Sequence, residues 1–245
     1  MEGCWFNHST DFISNLSLQD RQGLYHLGNK RCYRKDEMVF HVGASSDEVF
    51  VLLHGRVKVF ELSKEGREVI LWFCFPGELF GLSEVFQRSG REVNAQACSQ
   101  VEVLCIKKTD FERYIKQHGH LAMQVIELLS YRLRELSDVL LNLASEDVAS
   151  RVIKLLRRLC SRYGKPNGNQ VLLDIAITHQ EMADMIGASR QTVTSVLSTL
   201  RKQGIVKMEQ RCIYLQDITW IENIAGKLSY PRPSSASVQL MRNTA

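Results

Sequence analysis

Residues 178–204 read THQEMADMIGASRQTVTSVLSTLRKQG, and their reading decides the C-terminal half of the chain. Thr178 followed three residues on by Glu181 is a capping box, so a helix starts here. Met182, Ala183 and Ile186 give that helix an apolar face at helical spacing. Gly187 ends it, because glycine turns into the left-handed region without a Cβ penalty. Ser189 is a suitable N-cap for a second helix, with Val193, Val196, Leu197 and Leu200 as its buried stripe. The stretch therefore predicts two short helices joined by a tight turn. Residues 205–208 and 212–215 are β-prone runs around a short polar turn, which predicts a hairpin behind the second helix.

The polar residues left over on this unit have a consistent chemistry. Thr178, His179 and Gln180 open the first helix. Ser189, Arg190, Gln191, Thr192, Thr194 and Ser195 open the second, while Lys207 and Arg211 flank the hairpin turn. Arginine pairs bidentately with guanine and glutamine with adenine in the major groove. Helix-turn-helix proteins present such side chains from the first turns of the second helix. A plain helical hairpin with a polar outer face is the competing reading. Charge favours nucleic acid: residues 148–245 hold 14 Lys+Arg against 6 Asp+Glu, whereas residues 1–147 hold 17 against 21. A basic C-terminal part on a mildly acidic remainder suits phosphate contact.

Working outward, residues 38–42, 48–53, 57–60, 69–73, 92–97 and 101–106 are short β-prone runs punctuated by Gly43, Gly55, Gly66, Gly77 and Gly81. Evenly spaced short strands with turn signals predict a sandwich or jelly roll. A long helix follows, with apolar residues at Ala122, Ile126, Leu129, Leu133, Leu136, Leu140 and Leu143 in 4-3-4-3-4-3 spacing. A strict heptad seam pairs with a second helix, so Ile126 to Leu143 predict a homodimer. The polar stretch around 142–147 breaks the pattern before another apolar helix at 148–160. The last residues, KLSYPRPSSASVQLMRNTA, are rich in Ser and Pro and predict a flexible tail.

The expected fold is thus α+β: an N-terminal sandwich or jelly roll, a long dimerisation helix and a C-terminal winged helix-turn-helix. The expected divisions are a segment at 1–19, a strand-rich domain at 20–110, the dimerisation helix and hinge at 111–145, a winged-helix DNA-binding domain at 146–225 and a tail at 226–245. No apolar run reaches the ~18–20 residues that span a bilayer, and the N-terminus has no signal-peptide pattern. The seven cysteines lack C-x-x-C spacing, so neither a disulfide framework nor a metal set is expected, and a reduced cytoplasmic protein is. No nucleophile–base pair, metal spacing or phosphate loop points to catalysis.

In order along the chain, residues 39–43, 53–59, 65–68, 76–81, 142–148 and 186–193 resemble the cyclic-AMP receptor protein and fumarate–nitrate regulator family of bacterial transcription factors. The resemblance spans about residues 20–225. It implies an effector-sensing β-roll, a dimer, binding to palindromic double-stranded promoter DNA and contact with RNA polymerase. The family's cyclic-nucleotide binders carry Gly-Glu and then Arg-Ser/Thr-Ala. Gly77, Glu78 and Leu79 match the first part. For the arginine, counting forward gives Arg88 with Ser89, and counting back gives Arg91, which Glu92 and Val93 follow in place of Ser/Thr-Ala. Ser137 matches the adenine-contacting serine, with Leu136 where a threonine usually precedes it. A cyclic nucleotide or another small effector, such as 2-oxoglutarate, is the implied ligand class. Cys4 and Cys32 stand alone where oxygen sensors carry a cysteine cluster. Haem is not expected: Cys74, His41 and His54 are axial ligands in type only. The recognition segment also departs from the family, which places Arg, Glu and Arg where Arg190, Gln191 and Ser195 stand. The competing function is a ligand-binding regulatory subunit of an enzyme, since β-rolls of this kind also occur there.

Overall fold

A computed structural model describes residues 11–83, 89–168, 170–173, 175–209 and 212–216. They fall into two compact units. One runs to Val152 and includes Ile177–Val196; the other joins Ile153–Ala176 to the segment from Leu197 onward.

The first unit opens with α1 (Leu18–Leu27), started by Ser17, whose hydroxyl accepts from the Asp20 N–H at 3.1 Å. Eight strands follow: β1 (Gly28–Tyr33), β2 (Met38–Phe40), β3 (Glu48–His54), β4 (Val57–Leu62), β5 (Glu68–Cys74), β6 (Leu79–Phe80), β7 (Asn94–Ala97) and β8 (Val101–Lys107). They form two antiparallel four-stranded sheets, ordered β1-β8-β3-β6 and β2-β7-β4-β5. This is the expected β-roll. The long strands of the first sheet have apolar residues on both faces, and the alternation of side chains explains why. Val49 and Val51 of β3, with Leu104 and Ile106 of β8, enter one core. Phe50 and Leu52 of β3, with Val101, Val103 and Cys105 of β8, enter the other, between the sheets.

The first core is closed by helices. These are α1, α2 (Lys108–Gln117) and the long α3 (Gly119–Ser145), which contributes Leu121, Val125 and Leu128. Each such buried aliphatic side chain contributes about 1.5–3 kcal/mol. Asp20 adds a polar tie, its Oδ2 lying 2.9 Å from His120 Nε2 on α3. The apolar seam expected for pairing lies on another face of α3 and is largely exposed among the described residues. Ile126, Leu129, Leu133, Leu136, Leu140 and Leu143 are all exposed, Leu133 and Leu140 by 68% and 70%.

After α3 the chain turns at Glu146 into α4 (Val148–Tyr163), with Asp147 Oδ1 accepting from the Ser150 N–H at 2.7 Å. The second unit holds a four-stranded sheet ordered β11-β12-β10-β9. Its strands are β9 (Gly164–Asn167), β10 (Gln170–Leu173), β11 (Val206–Glu209) and β12 (Cys212–Leu215). The expected hairpin is β11–β12; β9 and β10 widen it. The two helices read from residues 178–204 are α5 (His179–Ile186) and α6 (Arg190–Lys202). Arg88, Arg211 and the tail lie outside the described residues.

Candidate DNA interface and effector cassette

The helix pair is built as its sequence dictates. Thr178 Oγ1 accepts from the Glu181 N–H at 3.1 Å, and Glu181 Oε2 accepts from the Thr178 N–H at 2.7 Å. Both halves of the capping box are therefore closed. Met182, Ala183, Met185 and Ile186 are buried. Gly187 sits at φ 61°, ψ 47°, and the N–H groups of Gly187 and Ala188 return to the Ala183 carbonyl. Ser189 Oγ accepts from the Thr192 N–H at 3.1 Å and so caps α6. Val193, Leu197 and Leu200 are buried, whereas Val196 is only half-buried at the edge of the stripe.

A Cβ at residue 187 would stand 3.2 Å from Leu143 Cδ2 as well as occupying a left-handed conformation. Gly187→Ala is expected to destabilise the chain by about 1–2 kcal/mol. Gly187→Asn should cost less, since asparagine tolerates that region. Thermal melts of the two variants decide this; equal stability of Gly187→Ala and wild type would contradict it.

The first turns of α6 present Arg190, Gln191, Thr192, Thr194 and Ser195, all exposed. Thr194 is held on two sides. Its hydroxyl donates to the Arg190 carbonyl at 2.8 Å and lies 2.9 Å from His179 Nδ1, so it braces α6 against α5. Gln180 donates to Asp184 at 2.8 Å. On the hairpin, Lys207 Nζ is 2.7 Å from Glu209 Oε1, which tempers its charge.

In the effector cassette, the described side chains pair with groups of the chain itself. Gly77, at φ 89°, and Glu78 bring the chain into β6, with the Gly77 N–H donating to Leu52 and the Leu52 N–H to Glu78. Glu78 is 2% exposed, and its carboxylate lies 3.3 Å from Arg132 Nη2. Arg132 also donates to the Leu79 carbonyl at 3.1 Å and stacks 4.9 Å from the Trp72 ring centroid. The heptad reading passed over Arg132. The signal for it was its place on the second stripe of α3, after Leu121, Val125 and Leu128, where a buried cation needs an anion.

Arg91 is 3% exposed. Its guanidinium stacks 4.4 Å from Phe40 and 5.4 Å from Phe50, within a cluster that Phe80 completes. It donates to the carbonyls of Gly81 and Glu48. Ser89 gives its carbonyl to Ser46 Oγ at 2.7 Å. Ser137 is exposed, and its hydroxyl donates back to Leu133 within α3 at 2.8 Å. The structure thus joins Glu78 and Leu79 to Arg132, leaves Gly77 bonded to Leu52, and gives Arg91 and Ser137 other partners. A cyclic phosphate needs an arginine whose donors face it, so these side chains do not fit that group as they stand. Burial pushes the Cys105 thiol up to about 11 and the Cys160 thiol up to about 12. Among the described residues no cluster of ligating side chains could hold a metal ion, and no helix is long and apolar enough to cross a membrane.

Residues 30–118 match the cyclic nucleotide-binding domain, and residues 150–224 match the Crp-like helix-turn-helix domain. The chain is 29% identical over 201 residues to the cyclic AMP receptor protein of Thermus thermophilus, covering 82% of this chain and 89% of that one. It is 26% identical over 185 residues to the CRP-like cAMP-activated global transcriptional regulator of Mycobacterium tuberculosis, covering 76% and 83%. In fold it is similar to a CooA mutant from Carboxydothermus hydrogenoformans, with TM-score 0.75 and 20% identity over 89% of this chain and 96% of that one. The chain belongs to the CRP/FNR family of transcription regulators, a cyclic-nucleotide-binding-type domain followed by a Crp-like helix-turn-helix DNA-binding domain.

Proposed function

We propose that this regulator works as a cytoplasmic homodimer that reads palindromic promoter DNA with α6 and contacts RNA polymerase. The observation that carries the reading is the exposed first turn of α6. A closed capping box, a left-handed Gly187 and the Ser189 hydroxyl capping α6 position it, and they leave Arg190 and Gln191 in solvent. Residues 20–110 serve as the sensor, 111–145 as the pairing helix and 146–225 as the DNA-binding domain. Arg190 reads a guanine, and Gln191 prefers adenine where the family's glutamate would accept from cytosine. Lys207 and Arg211 contact phosphates. No catalytic step enters this reading.

The effector in this proposal is a small molecule other than a cyclic nucleotide. Its support is the buried position of Arg91, bonded to backbone carbonyls and stacked on Phe40 and Phe50. Drawing that guanidinium out would break both sets of contacts.

Fluorescence anisotropy against a randomised palindromic DNA pool, followed by sequencing of bound DNA, tests the reading with and without cyclic AMP. Selection of half-sites sharing a guanine, unchanged by cyclic AMP, is the expected result. Selection only with the nucleotide would overturn the effector assignment. No selection in either case, with the sedimenting species a dimer, would count against DNA readout itself.

A further inference from the structure

Helix α5 is gripped at both ends by side chains of its own compact unit. At its N-terminal end, Arg56 Nη2 lies 2.8 Å from Glu181 Oε1, with the two side chains only 14% and 15% exposed. Arg56 is itself anchored. Its guanidinium stacks 4.5 Å from the Phe73 ring centroid, its N–H donates to Ser99 Oγ, and its carbonyl accepts from Cys98. The Glu181 carboxylate therefore does two things: one oxygen closes the capping box of α5, and the other binds the sheet through Arg56. At the C-terminal end, Arg151 Nη1 donates to the Ile186 carbonyl at 2.7 Å, and Gly187 packs close to Leu143, a residue of the exposed seam.

We propose that the Arg56–Glu181 ion pair is a releasable latch that holds α5, and the reading helix behind it, in a resting position of low DNA affinity. This rests on the DNA-binding reading above. Two observations make the contact releasable. Arg56 Nη1 is buried without a hydrogen-bond partner, so the pair leaves one donor desolvated. Asp184, one turn along α5, has its carboxyl pushed up by burial, with the nearby Glu68 and Glu181 charges adding to the rise and Gln180 and Lys58 opposing it. Opening the contact returns these groups to water, which offsets the lost attraction. A contact so balanced is one that a modest effector preference can shift. Because Thr194 ties α6 to His179, movement of α5 carries Arg190 with it. A palindrome requires the two reading helices ~34 Å apart.

Glu181→Gln and Arg56→Met, singly and together in the full chain, test the latch. Glutamine keeps the capping box while removing the charge, so Glu181→Gln separates latch from fold. Backbone hydrogen exchange of residues 179–186 reads the grip without DNA. Anisotropy on DNA selected by the wild type reads the consequence. Each single variant is expected to speed exchange about tenfold and to raise effector-free DNA affinity about tenfold, with the double variant no further changed. Additive effects, or unchanged exchange, would show that the pair does not act as a unit and overturn the latch. Coupled exchange with equal or weaker DNA affinity would overturn its resting role. A wild type that selects no DNA at all overturns the functional reading, and the regulatory role with it, while exchange still reports on the grip.

Discussion

Arg190→Ala is expected to remove sequence preference while leaving general DNA affinity largely intact. The side chain is exposed at the start of α6, so its loss should not disturb the fold. A bidentate arginine–guanine pair discriminates by about 1–3 kcal/mol per half-site, or about 2–6 kcal/mol over both halves of a palindrome. That corresponds to a loss of at least about thirtyfold on the selected sequence. On random DNA only one cationic side chain per protomer is lost, a small and salt-dependent change. Lys207→Ala should show the opposite pattern and weaken all sequences alike, with a lower salt slope. Titration of each variant against selected and random duplexes at two salt concentrations distinguishes them. Equal losses of Arg190→Ala on both duplexes would remove Arg190 from base readout.

The second large effect concerns α3. Leu133→Asp combined with Leu140→Asp should convert a dimer into a folded monomer. Both side chains are more than two-thirds exposed in the single chain, so the substitutions cost the monomer little. In a paired seam each leucine would contribute about 1.5–3 kcal/mol, and a carboxylate there would be desolvated. Separate protomers lose the gain from engaging two half-sites at once, about 10²–10⁴ in affinity. Sedimentation velocity and anisotropy on the same samples should therefore change together. A variant that stays dimeric would place the interface elsewhere, and a wild type that is monomeric at micromolar concentration would remove the seam's proposed role.

The parts legible in the sequence share a cause. The capping box at Thr178 and Glu181, the left-handed turn at Gly187, the cap at Ser189 and the seam of α3 are local patterns, fixed by backbone geometry within a few residues. The β3 and β8 strands were legible because apolar residues on both faces of a strand have few other uses. Strands β1 and β9 were not. GNKRCY and GKPN are polar edge strands, and their pairing comes from the neighbouring strand rather than from their own composition. Helix α1 is short and its few apolar residues show weak periodicity; α2 carries Phe111, Tyr114 and Ile115 at helical spacing, but over only ten residues.

The sensor cassette shows the same division at the level of single side chains. Gly77-Glu78 was visible as a motif, and the candidates for its arginine could be counted out along the chain. Only the fold decides where a guanidinium goes, because its partners are remote in sequence. Arg132 reaches Glu78 across 54 positions, and Arg91 reaches Glu48 across 43. By itself the sequence determined the helix-turn-helix, the strand-rich N-terminal part and the heptad seam, since each follows from local periodicity and turn chemistry; the family showed as a resemblance of several segments in order. The tertiary structure decided which cation meets Glu78, that Arg91 is buried among phenylalanines, and that Glu181 binds Arg56. Long-range contacts between charged side chains depend on packing that no local pattern encodes.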